Sequence, residues 1–144
     1  MKLNNVNLTA EQALVLQTPR VLETTSSSNL QAGTNLSLET NSLLFPSFAN
    51  LSLKAGQNLN VLVEQDLPLS RFSLNAGGNL LLRSQLGNII SNGKIFPQDN
   101  LQGDVILEAD QDITITNSRL EASRDLKITS RKRYKCRKKS TPCW

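Results

Sequence analysis

Leu53-Lys54-Ala55-Gly56-Gln57-Asn58-Leu59-Asn60-Val61-Leu62-Val63 holds two short apolar–polar alternations on either side of a Gly-x-Asn break. Alternation with period two puts one face of an extended chain toward a core and the other toward water, which is strand chemistry. No apolar period of 3.6 residues runs through the chain. Gly56 and Asn58 tolerate positive φ, so the break reads as a tight corner between two strands.

Working outward, the same phrase recurs. It appears earlier as Leu8-Thr9-Ala10-Glu11-Gln12-Ala13-Leu14-Val15-Leu16-Gln17-Thr18 and as Leu30-Gln31-Ala32-Gly33-Thr34-Asn35-Leu36-Ser37-Leu38-Glu39-Thr40. Later copies are Leu74-Asn75-Ala76-Gly77-Gly78-Asn79-Leu80-Leu81-Leu82-Arg83-Ser84 and Leu120-Glu121-Ala122-Ser123-Arg124-Asp125-Leu126-Lys127-Ile128-Thr129-Ser130. Between them, Leu101-Gln102-Gly103-Asp104-Val105-Ile106-Leu107-Glu108-Ala109 is a copy two residues tighter. A second register, Leu107-Glu108-Ala109-Asp110-Gln111-Asp112-Ile113 closing at Asn117, fits the full-length phrase, so the phase of residues 100–118 stays open. In the first register the copies close at 18, 40, 63, 84, 109 and 130, in steps of 22, 23, 21, 25 and 21.

A third apolar piece lies between copies: Val21-Leu22, Leu43-Leu44-Phe45, Leu67-Pro68-Leu69, Ile89-Ile90 and Ile113-Thr114-Ile115. Three short strands and three turns in each repeat make one coil of a solenoid, which buries its inward residues only when the next coil stacks on it. The predicted fold is all-β: a parallel β-helix (β-solenoid) of about six coils of about 22 residues spanning 1–130. The corner residues Asn35, Asn58, Asn79, Asp104 (or Asp112) and Asp125 would form a ladder. It reads either as a ligand-binding stripe or as side chains satisfying turn backbone, and the structural reading is preferred.

Composition narrows the function. The chain has 144 residues and no histidine, which removes the commonest general base and metal ligand. The paired carboxylates of polysaccharide-cleaving sites find a near candidate in Asp110-Gln111-Asp112, for which a turn role is preferred. Phosphate-loop, nucleophile-elbow, zinc and calcium-nonapeptide motifs do not occur. No catalytic residue, cofactor or metal is expected, and the chain is not read as an enzyme. Three Asn-x-Ser/Thr triplets, starting at Asn7, Asn35 and Asn50, are written by the repeat itself and carry little information.

Charge is unevenly placed. Residues 131–144 hold seven of the 16 basic residues and no acid, leaving a net charge of −3 on residues 1–130. That segment, with Cys136 and Cys143, reads as a basic, disordered tail; nucleic acid is considered as its partner and set aside for a solvated end. The abrupt change of composition after Ser130 also fits out-of-frame readthrough after a truncation. The longest stretch between copies, Gln85 to Asn100, is the best place for a binding loop, with Lys94, Phe96 and Asp99 as possible contacts. No signal-peptide h-region follows Met1, and no stretch reaches the roughly 18–20 apolar residues of a membrane span.

The phrase Leu53-Lys54-Ala55-Gly56-Gln57-Asn58-Leu59 resembles the repeats of filamentous haemagglutinin-type exoproteins, bacterial adhesins exported by two-partner secretion. The likeness covers about residues 6–130. It implies a right-handed parallel β-helix and a secreted or cell-surface location for a larger parent exoprotein, of which this chain would be a fragment. It also implies host or neighbouring-cell glycans or proteins as partners of that parent. It carries over no functional residue, because the rod repeats share no catalytic motif. The expected function is therefore a structural rod segment; the alternative is a carbohydrate-binding or polysaccharide-acting β-helix.

Overall fold

Leu and Val recur at every second position because each strand has one wet side and one side turned to the axis of a coil. The computed structural model describes residues 1–46, 48–92, 95–96 and 102–137, the strands at 95–96 and 133–137 by their backbone. All strand pairing in it is parallel, between one coil and the next. The chain is a β-solenoid of about five turns.

Three walls carry the pairing. The first stacks Asn7–Ala10, Ser28–Ala32, Leu51–Ala55 and Phe72–Ala76. The second stacks Lys2–Leu3, Leu14–Thr24, Leu36–Leu44, Leu59–Val63, Leu80–Ser84, Val105–Ala109 and Leu126–Ser130. The third stacks Leu67–Pro68, Ile89–Asn92, Asp112–Thr116 and Arg133–Arg137. Ile95–Phe96 pairs separately with Arg119–Leu120. The third wall starts only at Leu67. In the two coils below it the second-wall strands run on for 11 and 9 residues instead of turning.

The register of the second wall is that of the first reading. Thr18, Thr40, Val63, Ser84, Ala109 and Ser130 stand one above another. The alternative phase closing at Asn117 is excluded, because Asp112–Thr116 pairs with Ile89–Asn92 in the third wall. Leu14, Leu36, Leu59, Leu80, Val105 and Leu126 form one inward column, and Leu16, Leu38, Val61, Leu82, Leu107 and Ile128 the next. Leu36, Leu38, Leu59, Val61 and Leu82 are fully buried. Each such leucine contributes about 1.5–3 kcal/mol of burial. At the two ends of the stack the same columns are only half-buried, at Leu14 and Leu16 and at Leu126 and Ile128. Phe45 and Phe72 meet edge to face at 5.8 Å, Phe72 within the core and Phe45 packed against it.

The corner glycines differ from the sequence expectation. The two described residues other than glycine with positive φ are Asn5 and Asn117, neither in the Gly-x-Asn corner, and no described glycine lies in that region. Glycine is required there by close approach. A Cβ on Gly56 would stand 2.0 Å from the Gly33 carbonyl oxygen, and one on Gly33 would stand 1.9 Å from that of Glu11.

Of the basic segment expected to be a disordered tail, residues 138–144 lie outside the described residues, while 133–137 are ordered into the stack. Arg133–Arg137 is a strand paired with Asp112–Thr116, so parallel pairing continues past Ser130. Tyr134 and Cys136 stand in register with buried Ile113 and Ile115.

Candidate functional site

The corner ladder is a backbone-satisfying device. Asn58 N–H and Asn58 Nδ2 donate to Asn35 Oδ1 at 3.3 and 3.0 Å. Asn79 N–H donates to Asn58 Oδ1 at 3.2 Å, Asp104 N–H to Asn79 Oδ1 at 3.0 Å, and Asp125 N–H to Asp104 Oδ1 at 3.2 Å. Each side-chain oxygen takes the orphan corner N–H of the coil above, where the wall hydrogen bonds are interrupted. This is why both Asn and Asp serve in the column: only the acceptor oxygen is used upward. Asn58→Ala is expected to lower stability by about 1 kcal/mol in chemical denaturation, since water replaces the partner at this exposed edge. Asn60→Ala, outside the ladder, should change it by less than about 0.5 kcal/mol.

A second ladder escaped the sequence reading. Asn88 N–H and Nδ2 donate to Asp66 Oδ1 at 2.7 and 2.9 Å, and Asp112 N–H donates to Asn88 Oδ1 at 3.0 Å. Its signal is an Asn or Asp immediately before the third apolar piece: Asp66-Leu67, Asn88-Ile89 and Asp112-Ile113. Asp112 therefore belongs to this corner and Asp104 to the first. The Asp110-Gln111-Asp112 pair is divided: Asp110 meets Arg131 Nη1 at 2.9 Å, while Asp112 joins the second ladder.

Of the three loop residues, Lys94 and Asp99 lie outside the described residues. Phe96 lies in the strand Ile95–Phe96, in register with Leu120. Among the described residues no group of three or more Cys, Asp or Glu is placed to hold a metal, and no helix is long and apolar enough to cross a membrane.

A surface concavity lies where the second wall ends. A bulge between Thr18 and Val21 sets Pro19 and Arg20 against Asn41 alone. Thr40 Oγ1 donates to the Arg20 carbonyl at 2.8 Å and pins the bulge. The result is a groove of about 450 Å3 lined by Gln17, Glu39, Asn41, Leu62, Glu64 and Gln85, with Pro19 at its edge. Gln17 Nε2 donates to Glu39 Oε2 at 3.1 Å, and Asn41 Nδ2 donates to Glu64 Oε2. Sequence reasoning did not single out this group. The signal was present: these residues flank the closing column, as Gln17-Thr18, Glu39-Thr40-Asn41, Leu62-Val63-Glu64 and Ser84-Gln85.

Walls, corners and ladders define the class of protein, a parallel β-solenoid built from one repeated phrase. No protein-family model matches the chain, and no curated protein or solved structure matches it either.

Proposed function

We propose that the chain is a structural rod segment of a secreted or cell-surface bacterial adhesin of the filamentous haemagglutinin type, one stretch of a larger exoprotein. The observation that supports this most is the use of the repeat phrase. Its inward positions fill the core, its glycines admit the next coil, and its Asn and Asp residues satisfy corner backbone. A phrase spent on stacking leaves the outward positions free to vary, which suits a rod that displays surface. An antibody to the chain tests this in the source cells. The reading predicts a protease-accessible surface antigen on a band much larger than 15.9 kDa. A 15.9 kDa band confined to the cell interior would contradict it.

The groove at Glu39 and Glu64 favours a second reading, a carbohydrate-binding or polysaccharide-acting β-helix. Acidic and amide side chains gathered on one edge of the rod are what such a protein needs.

A further inference from the structure

We infer that the groove between Gln17 and Gln85 is a binding site for a neutral oligosaccharide. This goes beyond the rod reading and deepens the carbohydrate reading, on which it rests.

The argument begins with charge pairing. Higher on the same edge, Glu108 meets Arg83 at 3.9 Å and Lys127 at 3.8 Å, and Asp110 meets Arg131 at 2.9 Å. Glu39 and Glu64 have no Lys or Arg partner among the described residues; each carboxylate is held by an amide instead. An ionised carboxylate offers about four acceptor sites, so one amide donor leaves most of them free. A ligand must therefore donate hydrogen bonds. Two uncompensated negative charges also disfavour any anionic ligand, acidic sugars included.

The amides select further. Gln17, Asn41 and Gln85 each carry both a donor and an acceptor. A hydroxyl also does both, so a polyol satisfies amide and carboxylate together. An ammonium or guanidinium group donates only, so it meets the carboxylates but accepts nothing from the Gln85 amide. Leu62, half-buried on the floor, and Pro19, exposed at the edge, supply aliphatic surface for the C–H face of a sugar ring. The volume falls within the roughly 300–1,000 Å3 of small-ligand sites.

Isothermal titration calorimetry of the intact chain with cellohexaose, maltohexaose and chitohexaose tests the site. At least one hexasaccharide is expected to bind, and the double variant Glu39→Gln/Glu64→Gln to bind it at least ten-fold more weakly. Both replacements keep an acceptor for Gln17 and Asn41, and a circular-dichroism melt checks the fold. Gln17→Ala at an exposed position gives a second, milder variant expected to weaken binding in the same direction. Asn60→Ala, on the same wall outside the groove, should bind as the wild type does. If no hexasaccharide binds, both the site and the carbohydrate reading fall. If one binds with equal affinity to wild type and both groove variants, the site falls while the carbohydrate reading survives. Tighter binding of hexalysine than of any hexasaccharide would also overturn the assignment. The rod reading, tested by localisation, is untouched by any of these outcomes.

Discussion

Gly56→Val is expected to destabilise the chain by about 3 kcal/mol or more, a fall in melting temperature of roughly 10 °C for a domain of this size. The cause is spacing between coils. A Cβ at this position would lie 2.0 Å from the Gly33 carbonyl oxygen and 2.9 Å from its carbon. Backbone atoms cannot step aside as a flexible side chain can, so the two coils must separate locally. Separation weakens the neighbouring hydrogen bonds, in which Gly56 N–H donates to the Ala32 carbonyl at 3.0 Å and Gln57 N–H to Thr34 at 2.8 Å. Gln57→Val, one residue on and exposed, serves as the control and should shift stability by less than about 0.5 kcal/mol. Equal melting of Gly56→Val and wild type would mean that the coils do not approach this closely.

The second large effect depends on height in the stack. Leu59→Ala removes a fully buried side chain with a leucine above and below it, Leu80 and Leu36. Transfer and cavity terms together put the cost at about 2–5 kcal/mol. Leu126 occupies the same column but is only half-buried, with Val105 on one side. Leu126→Ala should cost about half as much or less, because less apolar surface is lost from a site already open to water. Denaturant titration of the two variants measures the gradient. Equal losses would show that the column does not end where the described coils end.

Much of this architecture was legible in the sequence, and the reason is repetition. Leu36, Leu59 and Leu80 could be placed in one column because the coils between them have nearly equal length. Thr18 through Ser130 could be aligned for the same reason. The failures came where a single copy departs from the phrase. The tightened corner at Gly103-Asp104 left two phases open, since Asp104 and Asp112 both precede an apolar alternation; three-dimensional pairing with Asn79 and Asn88 separates them. The glycines were rightly placed at corners but for the wrong reason, because the carbonyl of the neighbouring coil is not visible in a one-dimensional pattern. The groove was missed because its residues are not close in sequence. Gln17, Glu39 and Glu64 come together only once the closing column is stacked. The strand Arg133–Arg137 was hidden by charge, which masked the alternation placing Tyr134 and Cys136 in line with Ile113 and Ile115.

Stacking in register is the claim on which the rest depends, and one distance tests it directly. Val15 and Lys127 are both exposed and stand in the same outward column, on Leu14–Thr24 and Leu126–Ser130. Five steps of about 4.8 Å separate them, about 24 Å in all. Spin labels at Val15→Cys and Lys127→Cys, with Cys136→Ser and Cys143→Ser, report that distance by double electron–electron resonance. A single narrow distribution centred near about 24 Å is predicted. A centre beyond about 35 Å, or a broad distribution with no maximum, would contradict the stacked solenoid.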